Sequence, residues 1–171
     1  MALGNNVSGP LTSFLVEDHR RLDALLHRAV AAPDRFDGMA YDQFRAGLLR
    51  HIGMEEKILL PAMQRLQGGT PLSVATKLRL DHGALAALLM PTPTAAIIQT
   101  IQHILTIHNT VEEGPGGLYE ISDGLAGAET QALLTTLRAA PEVKVMAHSD
   151  SAAVMTTVRR ALERAGYKAE L

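Results

Sequence analysis

The sequence has no cysteine and no tryptophan, and it carries only three phenylalanines and three tyrosines. Without cysteine, thiolate catalysis, iron–sulfur clusters and cysteine-ligated zinc are excluded, and the chain suits a reducing compartment. A metal bound here must be held by nitrogen and oxygen. Excess charge is lacking too: the formal net charge is -2 at pH 7, which gives no long-range attraction to nucleic acid or to an anionic membrane surface. No apolar run approaches the roughly 18 residues of a membrane span. Met1 to Asn6 lack a basic segment followed by an apolar one. The expectation is a cytoplasmic protein with neither nucleic acid nor membrane as partner. Ser-His-Asp arrangements, a phosphate-binding loop and a dinucleotide fingerprint are absent as well.

What the chain does have is length and aliphatic residues. Its 171 residues are 47% hydrophobic, enough for one domain, with or without an appendage, that buries about 70% of its unfolded surface. Abundant Ala and Leu favour packed helices over sheet. A first helix is predicted from Pro10, or from a cap at Thr12 or Ser13, to near Pro33, with Leu11, Leu15, His19, Leu22, Leu26 and Val30 on one face. A second runs from about Met39 to Gln67. Its inward face is Tyr41, Phe44, Leu48, His51, Glu55, Ile58, Leu59, Ala62 and Leu66, with Glu56 rotated out and a kink at Pro61. Gly68-Gly69 ends it, and Thr70-Pro71 caps a third helix facing inward through Ala75, Leu78, His82, Leu85, Ala86 and Leu89. A fourth carries Ile97, Ile101, Ile104, Leu105, His108, Val111 and Glu112, then meets Gly114-Pro115-Gly116-Gly117, where it should end or distort. His27 and His103 fall off these faces and read as solvated.

Residues 1–125 thus read as a helical bundle and 126–171 as a C-terminal extension. The extension is expected to hold a helix from Glu129 to Ala139, a short strand over Val143 to Ala147, and a helix from Ser151 to Arg164. Tyr167 to Leu171 would be a second strand or a frayed end, with a plain helical extension as the alternative.

The chain also repeats itself. Asp18-His19-Arg20-Arg21-Leu22-Asp23-Ala24-Leu25-Leu26 matches Asp81-His82-Gly83-Ala84-Leu85-Ala86-Ala87-Leu88-Leu89, and His51-x-x-x-Glu55-Glu56 matches His108-x-x-x-Glu112-Glu113. In a helix, residues four apart are separated by about 6 Å of rise and roughly 40° of rotation, so each His–Glu pair faces one point. Four antiparallel helices in a bundle would bring His19, His51, Glu55, His82, His108 and Glu112 to a common axis. Two carboxylates buried there without a cation would each cost several kcal/mol. A pair of metal ions removes that cost, each Glu bridging both and two histidines serving each. Such nitrogen and oxygen ligands suit non-haem iron, with manganese or zinc as alternatives.

On these residues, and on the E-E pairs and Pro61, the sequence over about residues 11 to 120 resembles the hemerythrin-like, or HHE cation-binding, family. The resemblance implies an up-down-up-down four-helix bundle around an oxo- or hydroxo-bridged di-iron centre that meets O2, NO or peroxide. One departure bears on function: the O2 carriers have H-x-x-x-H in the third helix, and here the fourth residue after His82 is Ala86. The second carboxylate is Glu112, where the carriers have Asp one residue further along. The more open site argues against reversible O2 carriage.

Other residues carry less. Asp18 and Asp81 precede the ligand histidines, but neighbours in a helix point about 100° apart, so the expectation is solvated carboxylates. Tyr119 and Tyr41 read as core tyrosines, Met54 and Met63 as packing, and His148 as at most a surface metal ligand. The Gly-Pro-Gly-Gly break, which the Glu55 helix lacks, is expected to loosen one wall of the site. Three readings follow: a di-iron protein that binds or senses O2, NO or peroxide or handles iron; an enzyme consuming peroxide or NO; and a helical interaction module with a structural metal site. Whether the chain turns substrate over, and its oligomeric state, are left open by the sequence.

Overall fold

The computed structural model describes residues 8–168 and 170–171; the leader up to Val7, and Ala169 within the expected last strand, lie outside the described residues. The elements are α1 (Pro10–Val30), α2 (Gly38–Met54), a π turn (Glu55–Leu59), α3 (Leu60–Leu66), α4 (Ala75–Leu88), α5 (Ala95–Glu113), α6 (Leu118–Ala126), a 3-10 turn (Gly127–Glu129), α7 (Thr130–Arg138) and α8 (Ala152–Ala165). The all-helical expectation holds among the described residues. None of these helices is long and apolar enough to cross a membrane.

Pro10 starts α1 as its fixed φ allows. The cap, however, comes from far along the chain: the Asp123 carboxylate accepts from Leu11 N–H at 2.9 Å and Thr12 N–H at 3.0 Å, and the Thr12 hydroxyl donates to it at 2.6 Å. Asp37 caps α2 by accepting from Ala40 N–H at 3.0 Å, and Thr94 caps α5 by accepting from Ile97 N–H at 3.2 Å. Thr70-Pro71 does not cap α4, which begins only at Ala75. On α1 the buried face ends at Ala29, and Val30 is exposed.

Between α2 and α3 the helix widens. Leu60 N–H bonds Glu55 O, five residues back, which makes the turn a π turn. Pro61 has no N–H to give Lys57 O and its ring would crowd that carbonyl in a regular helix; the wider turn just before it relieves both. The extra residue also rotates the buried face. Beyond Glu55 it runs through Leu59, Leu60 and Met63, while Ala62 and Leu66 are only half-buried.

The core falls into two apolar halves. One gathers Leu22, Leu26, Tyr41, Phe44, Leu48, Leu85, Leu88, Ile97, Ile101 and Ile104; the other gathers Leu11, Leu15, Met54, Leu59, Met63, Leu78, Tyr119, Leu134 and Leu137. On α1, α2, α4 and α5 alike, a buried histidine marks the changeover from one half to the other. A polar layer therefore crosses the bundle at mid-height.

The C-terminal residues clamp the outside. Leu133, Leu134 and Leu137 of α7 complete the second apolar half, and Val158, Ala161, Leu162 and Ala165 of α8 join the first, against α4. The expected strand at Val143 to Ala147 does not form. Instead the segment lies along α2, where Arg50 donates to Ala140 O and Arg138 O, and buried Arg45 donates to Met146 O, each at 3.0 Å. With no strand edge to pair with, the segment is anchored at one carbonyl, Met146 O, by the Arg45 side chain. Asp150 accepts from Thr92 N–H at 2.8 Å, Ser151 caps α8, and Gly166 ends it in the left-handed conformation at φ 83°. No strand is formed over Tyr167 to Leu171 by the described residues.

Candidate metal centre

The polar layer is built by repetition. Each half of the chain supplies one histidine from its first helix and a His and a Glu, four residues apart, from its second. His19 comes from α1, His51 from α2, Glu55 from the π turn, His82 from α4, and His108 and Glu112 from α5. All six are buried, and Glu55 and Glu112 are fully enclosed. The structure therefore brings together all six residues singled out by the duplication.

They form two groups that share both carboxylates: His19, His51, Glu55 and Glu112, and His82, His108, Glu55 and Glu112, with the ligand atoms of each group within 4.8 Å of one another. Glu55 presents Oε1 to His51 Nε2 at 3.3 Å and Oε2 to His82 Nε2 at 3.1 Å. Glu112 presents Oε2 to His19 Nε2 at 3.3 Å and Oε1 to His108 Nε2 at 2.9 Å. One oxygen of each carboxylate thus faces each histidine pair.

Around this core stands a ring of four more carboxylates. Asp18 accepts from His51 Nδ1 at 2.9 Å and Asp81 from His108 Nδ1 at 3.3 Å. Glu113 accepts from His19 Nδ1 at 2.5 Å and Glu56 from His82 Nδ1 at 2.6 Å. The reading of Asp18 and Asp81 as solvated is corrected here: a residue turned 100° from the bundle axis faces the neighbouring helix, where the partner histidine stands. Glu56, rotated out of its own helix's face, meets His82 in the same way. With Nδ1–H committed to a carboxylate, each imidazole turns an Nε2 lone pair inward, the tautomer a metal ligand needs. Arg21 pairs with Asp18 at 2.8 Å, Arg79 with Glu56 at 3.3 Å and Lys77 with Asp81 at 2.5 Å, which leaves the inner pair of carboxylates to be balanced from inside.

The donor set fits a cation. Glu55 Oε2, Glu112 Oε1 and His82 Nε2 are buried without a hydrogen-bond partner, and His19 and His51 set their Nε2 atoms 3.0 Å apart, an arrangement two lone pairs avoid unless a positive charge lies between or beside them. The electrostatics agree. Burial pulls the His19 imidazole down, but hydrogen bonds to Glu112 and Glu113 outweigh it and push it up to about 10. The same opposition, with Glu112, Glu55 and Glu56 on the raising side, takes His82 up to about 11. Burial raises the Glu112 carboxyl, yet His108, His19 and His82 hold it well below the usual carboxylate range. The layer calls for positive charge, and either protons on the imidazoles or metal ions can provide it.

Tyr119 completes the centre, and the reading of it as a plain core residue is corrected. Its hydroxyl lies 2.7 Å from Glu55 Oε1, 3.1 Å from Glu112 Oε2, 3.0 Å from His19 Nε2 and 3.2 Å from His51 Nε2. It does not arrive by continuation of the His108 helix. α5 ends at Glu113, and the chain turns through Gly114 to Gly117 so that α6 folds back towards the centre. Gly116 sits at φ 70°, and a Cβ on Gly117 would stand 2.6 Å from Glu112 O, 2.6 Å from Val111 O and 2.7 Å from Gly114 O. The glycine break does not loosen a wall; it delivers Tyr119.

A match to a family model decides the relationship: residues 11–115 fit the hemerythrin HHE cation binding domain. The chain belongs to this family. No curated protein and no solved structure matches it. The matched span contains all six buried His and Glu residues of the two groups, and the surrounding carboxylates account for the Asp-His and Glu-Glu pairs in both halves. His27 and His103 are exposed, as expected. His148 lies outside both ligand groups and stacks on Tyr41, ring centroids 6.2 Å apart.

A cleft of about 270 Å³ lies between α1, α2 and α5 beside the HHE centre. His19, His51 and His108 lie at its inner end, Leu22, Leu48 and Leu105 line it, and His27, Gln102 and Asn109 stand among its polar residues.

Proposed function

We propose that the chain is a non-haem di-iron protein that binds or senses O2, NO or peroxide, or handles iron, on an up-down-up-down four-helix bundle. The observation that carries this reading is the pair of four-residue groups sharing Glu55 and Glu112. In it, His19 and His51 hold one ion, His82 and His108 the other, and the two carboxylates bridge them. Iron suits a set of four imidazoles and two carboxylates; manganese and zinc are the alternatives. The alternating topology is supported by the core: along α1 and α4 the second apolar half precedes the first, and along α2 and α5 the order is reversed.

Bound iron would supply redox-active coordination positions. The protein's own part is to fix the imidazole tautomers, enclose the bridging carboxylates and admit a small ligand through the partly apolar cleft. That cleft, and the missing imidazole at Ala86, favour a second reading in which peroxide or NO is turned over. Iron content of protein from iron-replete cells tests the first reading: two irons per chain are expected, and less than about one would overturn it. Optical spectra of the reduced protein with O2, NO and peroxide then separate binding from turnover. Peroxide consumption no faster than that of free iron, and unchanged in His82→Ala, would overturn the second.

A further inference from the structure

The two ends of the centre are not equivalent, although the repeat makes them so in sequence. The Tyr119 hydroxyl touches four ligand atoms of the His19–His51 group, and no described side chain takes the same place beside His82 and His108. The repeat offers none: Tyr119 lies on α6, which follows the second half only.

The distances around Tyr119 have a specific pattern. A first-row metal ion sits about 2.1 Å from nitrogen and oxygen ligands, so neighbouring ligands of an octahedron lie about 3.0 Å apart. His19 Nε2 to His51 Nε2 is 3.0 Å, His51 Nε2 to Glu55 Oε1 is 3.3 Å, and His19 Nε2 to Glu112 Oε2 is 3.3 Å. The Tyr119 oxygen stands 2.7 to 3.2 Å from all four of these atoms at once. These seven distances fit a square pyramid with the phenol oxygen at its apex. A hydrogen-bonding tyrosine needs one acceptor; four contacts of near-equal length describe a shared coordination sphere.

The position is also enforced. Tyr119 is fully buried, its helix is tied to α1 through Asp123, and Gly117 holds the turn against three backbone carbonyls.

We propose that Tyr119 is a fifth protein ligand to the metal ion held by His19 and His51. The proposal rests on the di-iron reading. On coordination the phenol O–H bond is replaced by an oxygen–metal bond and one proton leaves to solvent; no electron is transferred. One end of the centre then has five protein ligands, and the other, with His82, His108 and the two shared carboxylates, has four.

Phenolate bound to ferric iron gives an intense visible charge-transfer band and resonance-enhanced phenolate ring vibrations, which imidazole and carboxylate ligands do not. The experiment is iron quantitation with optical and resonance Raman spectra of the ferric protein, in wild type and in Tyr119→Phe, Tyr41→Phe and Tyr167→Phe. Expected are two irons per chain and the phenolate signature in wild type, retained in the Tyr41 and Tyr167 variants and abolished in Tyr119→Phe. The wild-type spectrum decides even if Tyr119→Phe fails to fold. Two irons with no phenolate signature would overturn the ligand assignment and leave the di-iron reading standing. A signature that survives Tyr119→Phe would also overturn it. Less than one iron per chain would overturn both.

Discussion

Asp18 on α1 reaches across to α2 and accepts a hydrogen bond from His51 Nδ1 at 2.9 Å, and Asp81 on α4 repeats the contact with His108 on α5 at 3.3 Å. These carboxylates orient the imidazoles and raise their basicity without touching the metal position. Asp18→Ala is expected to lower metal affinity about 10- to 100-fold, read by chelator competition. Glu17→Ala, one residue away and exposed, should leave it unchanged. Equal affinity in Asp18→Ala and wild type would mean that the imidazole needs no such support.

The histidines set a pH dependence whose sign differs between the stripped and the metal-loaded protein. His19 and His82 are raised from 6.5 to about 10 and about 11. In protein stripped by a chelator, their contribution to stability is therefore complete below about pH 6.5 and is lost as pH rises through that higher range. Metal ions need neutral imidazoles, so loading gains as pH rises. The Tm difference between loaded and stripped protein should widen from mildly acidic to mildly alkaline pH. Loading at about pH 7 should also release protons, seen as a calorimetric heat that changes with the buffer's ionisation enthalpy. A heat independent of buffer would contradict this.

Two glycines of the segment that carries Tyr119 should respond in opposite directions. A Cβ at Gly117 meets three carbonyl oxygens, whereas one at Gly124, inside α6, meets nothing within 4 Å. Gly117→Ala is expected to destabilise by about 1–3 kcal/mol or more, since backbone must move. Gly124→Ala is expected to stabilise by about 0.4–1 kcal/mol through the unfolded state. Urea denaturation at equal metal loading measures both.

The C-terminal helix contributes to the same core that frames the centre. Leu162 is buried with Val158, Ala161 and Ala165 against α4, and beyond them Tyr167 donates to Asp81 at 2.9 Å, the carboxylate that holds His108. Leu162→Ala should cost about 2–5 kcal/mol in chemical denaturation. A change within experimental error would show that α8 is an appendage and not part of the core.

The inner residues were legible because the sequence states them twice: His19 with His82, and His51 and Glu55 with His108 and Glu112. Their common spacing places them on inward faces whatever the details of packing. The outer carboxylates were not legible from one helix at a time. Asp18 and Glu56 point away from the axis of their own helix, and their role appears only when the neighbouring helix supplies a histidine. Their recurrence as Asp-His and Glu-Glu in both halves was the available signal. Tyr119 depends on a turn whose shape comes from Gly116 and Gly117, and no periodicity carries across such a break. The π turn at Glu55 to Leu59 shifted the buried face of α3 by about one residue for a similar local reason. The expected strand at Val143 to Ala147 failed because strand-like composition needs an edge to pair with, and the described residues around it are helical.

Anomalous diffraction from iron-loaded crystals tests the central claim most directly. The expected result is two peaks per chain about 3.5–4 Å apart, one beside His19 and His51 and one beside His82 and His108, with Glu55 and Glu112 spanning both. A single peak, or iron bound away from these residues, would contradict it.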